Sequence, residues 1–382
     1  MQAEDFTDKR SGELVKTING NWAFMPNPLP PAIEYSSSLV AQLSEADAAL
    51  AELSGVGRQL ANPALLIGPY LNVEARLSSQ IEGTVASYAD MFVDQIEDRA
   101  DVRDSVREVN NYVRALHFGV QQLDAIPFSL RLVRELHRVL MTGVRGQNRS
   151  PGDFRQIQNY VGTTGTNEST AVYVPPPVPQ MHIALDGWER FAHDDRHVLP
   201  ELVRCALLHV QFESIHPFND GNGRTGRILI PLYLMQRRRL SRPLLYLSAY
   251  IDARRRDYYD LLQRTRTHGA WTDWLEFFLR GIAVTARAAL VQTQALLDLR
   301  TELMKETRDV PNADVLIDAL FSNPFTTLPA TTRVIGKTTP TASALINALR
   351  TRGILEEVTG KLRGRVYVVR RILAIIERAE SI

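Results

Sequence analysis

The side chains best suited to phosphate chemistry are concentrated between His216 and Arg227, in a segment that reads HPFNDGNGRTGR. His216 can accept a proton near neutral pH. Asp220 can ligate Mg²⁺ held against a polyphosphate. Arg224 and Arg227 lie three residues apart, so on a helix they share a face and can grip phosphate oxygens. The segment therefore offers a base, a metal ligand and two anion-binding cations.

The glycines of this segment predict the backbone that positions those side chains. Gly221, Asn222 and Gly223 lead into an apolar run that starts at Ile228, which is typical of a turn that opens a helix. Such a turn directs several backbone amides at one point, where the helix dipole adds positive potential. The plain alternative is a helix N-terminus with solvated arginines. The coincidence of base, metal ligand, turn and arginines favours group transfer from a nucleotide.

The segment resembles the signature of the Fic/Doc family, H-x-F-x-[D/E]-G-N-G-R-x-x-R, and matches it at every fixed position. The resemblance extends over about residues 20–300. It implies a mainly α fold, a Fic-type helical bundle with a β-hairpin flap. It also implies an enzyme that transfers AMP from ATP to a Ser, Thr or Tyr hydroxyl of a target protein, with self-modification left open. The Doc branch, which transfers phosphate, is altered in the Gly-Asn-Gly-Arg core, and this chain keeps that core.

The resemblance assigns a role to each motif residue. His216 is the expected general base, and Asp220 is the expected Mg²⁺ ligand. Arg227 is expected to bind the γ-phosphate in particular, and Phe218 to anchor the loop in the core. Asn222 and the neighbouring amides are expected to form an anion hole for the α-phosphate. The full set expected to bind the nucleotide within the motif is Gly221, Asn222, Gly223, Arg224, Thr225, Gly226 and Arg227.

Two further regions are placed by the resemblance. A hairpin over Thr163–Pro177, carrying Val172 and Tyr173, is expected to be the flap that pairs with the target backbone. Tyr250 and Tyr258 fall where the family contacts adenine. An ordinary surface hairpin and ordinary core aromatic side chains are the alternatives.

Residues 78–83 read SSQIEG and fit the family's inhibitory pattern, [S/T]-x-x-x-E-[G/N]. Ser78 and Glu82 are i and i+4, so on a helix that ends at Gly83 they share one face. We expect Glu82 to pair with Arg227 and to hold the anchor that the γ-phosphate needs. A role for Glu82 in positioning a water that removes AMP from a modified target stays open.

The elements around the motif are predicted to be mostly helical. Apolar periodicity predicts helices over 69–82, 104–122 and 128–142, and again from Met181 to about Lys305. Ser44 with Asp47 resembles a helix cap for a further helix that ends near Leu60. Residues 1–35 are polar and then proline-rich, as in an extended arm laid over a domain. We divide the chain into an arm and inhibitory region (1–100), a catalytic core (101–305) and a C-terminal domain (306–382).

The C-terminal domain is predicted to be a winged helix-turn-helix. Helices are expected at about 312–321, 329–336 and 340–352, followed by a strand–turn–strand from Ile354 to Val369. Nine basic residues lie between positions 333 and 371, against two acidic ones. DNA binding and protein binding are both open for this domain.

Composition sets the remaining bounds. The formal net charge is +1 and apolar residues make up 45% of the chain, which excludes a uniformly basic nucleic-acid coat. The single cysteine, Cys205, excludes an intramolecular disulfide and sits in an apolar run. Neither a signal peptide nor a membrane span is predicted, so we expect a cytoplasmic protein.

Several questions stay open at this stage. A nucleotide-sensing, DNA-binding regulator and a transferase with another donor, such as UTP or CDP-choline, are the alternatives to AMP transfer. A homodimer is also open. The sequence does not indicate the target, the type of residue modified, the signal that relieves inhibition, or whether AMP is also removed.

Overall fold

The computed structural model describes residues 3–59, 64–96, 103–144, 150–162, 165–196 and 198–378, with backbone only for 64–66. Within these ranges the chain is mainly helical, as predicted. The first helices are α1 (Ser37–Gln59), α2 (Ala64–Ile81), α3 (Tyr88–Ile96), α4 (Asp104–Gln122) and α5 (Leu130–Leu140). The central helices are α6 (Val178–His193), α7 (Glu201–Ile215), α8 (Asn222–Gln236), α9 (Ser248–Ala253), α10 (Arg255–His268) and α11 (Trp271–Glu306).

Helices α7 and α8 pack against each other at the centre of the molecule. Every residue of α7 from Leu202 to Ile215 is buried, and α8 is buried from Arg224 to Leu234. Because both helices are enclosed, the loop between them, residues 216–221, is held at both ends by the core. Helix α2 lies nearby and packs against α4, α8 and α9.

The start of α1 differs from the sequence prediction. Ser44 lies inside the helix, and Ser36 is the residue that caps it, because its Oγ accepts the Leu39 N–H at 3.1 Å. Ser44 and Asp47 are spaced like the residues of a helix cap, which explains the wrong prediction. The helix in fact begins at Ser37, about two turns before Ser44. By contrast, the predicted stop of α2 is confirmed: the helix ends at Ile81, and Gly83 has φ +88°.

The N-terminal arm is a β-hairpin and not an extended segment. Strands β1 (Gly12–Lys16) and β2 (Trp22–Pro26) pair antiparallel, with Gly12 opposite Pro26. The hairpin packs on the polypeptide just before α6, where Phe24 N–H donates to the Val174 carbonyl at 2.9 Å. Ala23, Ala171 and Val174 form a small apolar cluster there, apart from the main core.

The C-terminal region contains three helices, a small sheet and a last helix. These elements are α12 (Ala313–Ser322), β3 (Phe325–Thr327), α13 (Leu328–Ile335), α14 (Thr339–Thr351), β4 (Glu356–Glu357), β5 (Val366–Val368) and α15 (Arg370–Arg378). The sheet is antiparallel in the order β3-β5-β4. The three predicted helices are confirmed to within about two residues, whereas β3 and α15 were not predicted. The winged helix-turn-helix assignment stays an interpretation of these elements.

The C-terminal region packs on the rest of the molecule. Helix α12 contacts α2, and α15 contacts α11. The predicted domain boundary at 306 coincides with the end of α11, a 36-residue helix. Among the residues described, no helix is both long enough and apolar enough to cross a membrane.

Candidate active site

The loop between α7 and α8 has an unusual backbone at both ends. His216 ends α7 in the left-handed region (φ +48°, ψ 61°), which is uncommon for a residue with a side chain and recurs at active sites. Gly221 precedes α8 with φ +74°, a conformation that glycine adopts without strain. Among the described residues, no side-chain hydrogen bond caps α8. The first amides of this helix are of the kind that can bind an anion, so the predicted anion hole stays a prediction.

Asn222 closes this loop through its side chain. Its Oδ1 accepts the Phe218 N–H at 2.8 Å, and its Nδ2 donates to the Phe218 carbonyl at 2.8 Å. Phe218 itself is fully buried, as expected of a core anchor. Because both ends of the Asn222 amide are engaged, Asn222 shapes the loop, and its backbone N–H is what remains for the predicted anion hole.

Thr225 and Gly226 face away from the site. Thr225 Oγ1 donates to the Gly221 carbonyl at 2.8 Å and is fully buried. A Cβ on Gly226 would lie 2.5 Å from Glu213 Oε1, so the glycine allows α7 and α8 to approach closely. We assign both residues to the packing of α8 and not to nucleotide contact.

Arg227 is a buried cation with three short hydrogen bonds. Its Nε donates to Ser78 Oγ at 2.8 Å, and its Nη2 donates to the Ser78 carbonyl at 3.0 Å and to Glu82 Oε1 at 2.7 Å. The exposed fraction of the Arg227 side chain is 1%, whereas that of Glu82 is 34%. The structure thus brings Ser78, Glu82 and Arg227 together in the pairing that the sequence predicts.

The Glu82 carboxylate also lies at the N-terminus of α8. A Cβ on Gly223 would overlap Glu82 Oε1 and would lie 3.0 Å from Arg227 Nη1. Burial opposes ionisation of Glu82, but the charge and hydrogen bond of Arg227 outweigh it, so the pKa of Glu82 is lowered. An anionic carboxylate therefore occupies the place, between the α8 amides and Arg227, where a phosphate was expected.

Arg224 is held far more loosely than Arg227. Its Nη1 lies 3.4 Å from Glu108 Oε2, and its Nη2 lies 3.7 Å from Asp220 Oδ1. The residue is buried, and its Nε has no hydrogen-bond partner in the part of the chain that the structure describes. Thr84 Oγ1 donates to the same Glu108 oxygen at 2.7 Å. Sequence reasoning missed Glu108, since only the fold brings α4 to this site, and it also missed Thr84, which lies two residues after Glu82.

His216 is neutral in this environment. Burial, followed by the charges of Arg266 and Arg155, lowers the pKa of His216 to about 4, although Glu82 and a hydrogen bond with the Glu213 carbonyl oppose the shift. Arg155 Nε and Asn159 Nδ2 donate to the His216 carbonyl at 3.1 and 3.3 Å and so fix its backbone. An imidazole that is unprotonated at pH 7 can act as the predicted base.

Asp220 lies at the mouth of the loop with its side chain 39% exposed. Its Oδ1 accepts the Gly221 N–H at 2.7 Å. Among the described residues, no three His, Cys, Asp or Glu side chains converge in a way that could hold a metal ion. Mg²⁺ is commonly bound through one or two carboxylates together with substrate phosphates. Asp220 therefore fits Mg²⁺ only as a protein ligand to a metal that a nucleotide also ligates.

The tyrosines predicted to contact adenine are both buried. The Tyr258 hydroxyl is 2.9 Å from His209 Nε2, and the Tyr250 ring lies under Arg254 at 4.3 Å. Tyr259 is instead 42% exposed. Burial and then the charge of Glu82 raise the pKa of Tyr259 to about 12. Tyr259 is thus the better candidate for a base contact, and Tyr258 is corrected to a core residue.

The predicted flap is reduced to one antiparallel bridge, between Val161 and Tyr173, and positions 163–164 lie outside the described residues. Val172 is 62% exposed, as a flap residue should be. Tyr173 is buried beneath Arg266, and its hydroxyl donates to the Ser214 carbonyl. Tyr173 therefore anchors this segment and does not face a target.

Comparison with known proteins finds two family models that match this chain. Residues 127–234 match the family model described as Fic/DOC family, and residues 40–121 match that described as Fic/DOC family N-terminal. A 136-residue stretch is 32% identical to "Protein adenylyltransferase Fic" of Culex quinquefasciatus and covers 35% of this chain and 24% of that relative. A 147-residue stretch is 28% identical to the protein of the same name from Drosophila erecta, over 37% and 28%. The chain thus spans about a quarter of the length of these relatives.

Solved structures share the fold. A Fic family protein from Desulfovibrio desulfuricans G20 superposes with a TM-score of 0.58 at 18% identity, over 89% of this chain and 98% of that one. Fic-1 from C. elegans superposes with a TM-score of 0.51 at 19% identity, over 67% and 74%. The fold, the intact motif and the two adjoining family matches lead to one conclusion: this chain belongs to the Fic/DOC family.

Proposed function

We propose that this chain is a protein adenylyltransferase, which transfers AMP from ATP to a Ser, Thr or Tyr hydroxyl of a target protein. The observation that carries the proposal is the arrangement of one loop and the helix after it: His216, with its lowered pKa, at the start of the loop, the α8 N-terminus at its end, and buried Arg227 in the second turn of α8. Relatives named as protein adenylyltransferases support the same activity.

The reaction follows from these groups. The target hydroxyl oxygen forms a bond to the α-phosphorus, the bond from that phosphorus to the β-bridging oxygen breaks, and pyrophosphate leaves. The hydroxyl proton goes to His216. The α8 amides and Arg227 would offset the charge of the phosphates, which is the main requirement of such transfers. Mg²⁺, ligated by Asp220, would supply further charge neutralisation.

We propose that Glu82 inhibits this reaction. Its carboxylate occupies the space between Gly223 and Arg227, so a triphosphate must displace it to reach Arg227. A hydrogen bond between charged groups contributes about 1.5–3 kcal/mol, and ATP must overcome this contribution to displace Glu82 from Arg227. Removal of the Glu82 carboxylate should therefore raise the rate of AMP transfer about 10- to 100-fold.

Incubation with ATP and Mg²⁺ tests the proposal. We expect a lysate treated with the Glu82→Gly variant to contain proteins heavier by one AMP, and to contain far fewer with the wild type. The double variant Glu82→Gly/His216→Ala is the matched control and should give none. Labelling that survives loss of His216 would refute the mechanism, and equal labelling by wild type and Glu82→Gly would refute the inhibition.

The same assay separates the alternatives. Labelling from UTP or CDP-choline in preference to ATP would show that the enzyme uses that nucleotide as its donor. Loss of AMP from a pre-labelled target, dependent on Glu82, would assign AMP removal to the same site. Mass spectrometry of the enzyme itself reports self-modification.

A second proposal, DNA binding, concerns the C-terminal region. The wing between β4 and β5 exposes Lys361, Arg363 and Leu362, the last 91% exposed. Two of the basic side chains counted in the predicted basic surface form ion pairs within the chain: Arg352 pairs with Asp309, and Arg370 pairs with Glu356. Salt-dependent retention on duplex DNA that is lost in Lys361→Ala/Arg363→Ala would support the proposal, and no retention at low salt would refute it.

A further inference from the structure

We propose that His137, in α5 and outside the sequence motif, is a positioning residue that orients Asp220 and thereby sets how strongly a divalent cation strengthens nucleotide binding. The inference rests on the proposed function only in taking Asp220 as the metal ligand. His137 lies 83 residues before Asp220 in the sequence, and the fold alone brings them together.

Both ring nitrogens of His137 are engaged. Nδ1 accepts the Gly152 N–H at 2.9 Å, and Nε2 lies 3.0 Å from the Asp220 carbonyl oxygen. A backbone N–H can only donate and a carbonyl oxygen can only accept. The tautomer is therefore fixed, with the proton on Nε2 and an Nε2–H donated to Asp220.

The imidazole also packs against the loop on two further sides. Its ring stacks on Phe218, with centroids 3.7 Å apart and planes within 4°. A Cβ on Gly221 would lie 3.5 Å from His137 Nε2 and 2.9 Å from Sδ of Met141, the residue that follows the end of α5. His137 therefore contacts Phe218 and lies close to Gly221, which precede and follow Asp220 in the loop, and is bonded to Asp220 itself.

These contacts fix the direction of the Asp220 side chain. The carbonyl is tied to His137 on one side of the peptide, and Oδ1 is tied to the Gly221 N–H on the other. The remaining rotation of the carboxylate is thus small. A ligand held in one orientation binds a metal without first being ordered, and partners that orient ligands typically contribute 10- to 100-fold in metal affinity.

Three substitutions separate the contacts of His137. His137→Gln can place an amide N–H near Nε2 and so keep the donor to Asp220. His137→Asn can place an oxygen near Nδ1 and so keep only the acceptor for Gly152. His137→Phe keeps only the stacking. Each is made in the Glu82→Gly background, with Asp220→Asn as the reference for loss of the ligand.

The measurement is calorimetric binding of a non-hydrolysable ATP analogue, with and without Mn²⁺. We expect the gain in affinity due to Mn²⁺ to fall about 10-fold in His137→Asn and His137→Phe, as in Asp220→Asn, and to stay within about threefold in His137→Gln. General damage to the fold would weaken binding equally with and without metal and would leave this ratio unchanged.

Two outcomes overturn the inference: an unchanged ratio in folded His137→Asn, or an Asp220→Asn variant that keeps its full response to Mn²⁺. The second outcome would show that Asp220 is not a metal ligand, but it would not contradict the proposal that the enzyme transfers AMP. Conversely, the expected ratios without any labelling of protein by Glu82→Gly would refute the proposed function and support the role of His137.

Discussion

Glu82 and Arg227 lie 145 residues apart in the sequence, and their Oε1 and Nη2 atoms are 2.7 Å apart in the fold. Ser78, on the same face of α2, accepts two more hydrogen bonds from the same guanidinium. Ser78 and Glu82, which are one helical turn apart, therefore hold Arg227 in two ways. Ser78 fixes the position of the guanidinium, and the Glu82 carboxylate neutralises its charge. The two contacts should have separable effects.

Removal of the Ser78 hydroxyl tests the first contact. In Glu82→Gly, Arg227 Nε keeps Ser78 Oγ as its acceptor, so Arg227 stays oriented for phosphate. Ser78→Ala in that background should raise KM for ATP about 10-fold, since a hydrogen bond to a charged group is lost. Ser79→Ala is the matched control, because Ser79 Oγ is buried without a partner in the described structure. Equal KM values for the two variants would contradict the prediction.

Alanine at position 223 tests how closely Glu82 approaches α8. A Cβ there would overlap the Glu82 carboxylate and push it away from Arg227, so Gly223→Ala should destabilise the wild type by about 1–3 kcal/mol, mainly through the weakened hydrogen bond between these charged groups. In Glu82→Gly the obstructing oxygen is gone, and the cost should be at least about 1 kcal/mol smaller. Denaturant unfolding of the four proteins gives the coupling. Additive effects would show that Glu82 does not lie over Gly223.

The extent to which the site could be predicted from sequence depends on the distance between its parts. His216, Asp220 and Arg227 lie within one segment, and α2 ends at Gly83, so local pattern was enough to find them. The register of α10 was harder. Tyr258 and Tyr259 are consecutive, so they point about 100° apart, and a helix of uncertain orientation does not reveal which one faces the site.

Other features had no sequence signal at all. His137 reads as one more residue of an amphipathic helix, and Glu108 as one more surface acid, until α4 and α5 are placed beside α8. The N-terminal hairpin was missed because its strands are short and because its apolar residues are divided between a small cluster near Ala171 and the main core, which Met25 contacts. Contacts between residues that are distant in the sequence depend on how the helices pack, and neither helix propensity nor apolar periodicity predicts them.

The two tyrosines of α10 can be distinguished by their effects. Stacking of a base on an aromatic ring contributes about 1–3 kcal/mol, so Tyr259→Ala should raise KM for ATP about 10-fold in the Glu82→Gly background. Tyr258→Phe removes the hydroxyl bonded to His209 and should lower the unfolding free energy by about 1 kcal/mol, with KM unchanged. The reverse pattern would restore Tyr258 as the base contact.

The ionisation of His216 can be followed directly by NMR. Burial and the neighbouring Arg266 and Arg155 lower its pKa to about 4, so the imidazole should remain neutral as the pH falls from 7 to 5 and should protonate only near pH 4. Glu82 opposes this shift, so Glu82→Gly should not raise the pKa and should lower it further. Because the unfolded chain protonates near pH 6.5, this histidine disfavours folding increasingly as the pH falls from 6.5 towards 4.

Selective labelling of histidine, with His216→Ala to assign the resonance, gives the titration curve. A midpoint near 6.5 for His216 would mean that neither burial nor the charges of Arg155 and Arg266 act appreciably on the imidazole. The base would then be half protonated close to neutral pH, and transfer by Glu82→Gly would decline on mild acidification. An imidazole with a pKa of about 4 instead keeps its accepting lone pair down to about pH 5, so transfer should not decline in that range.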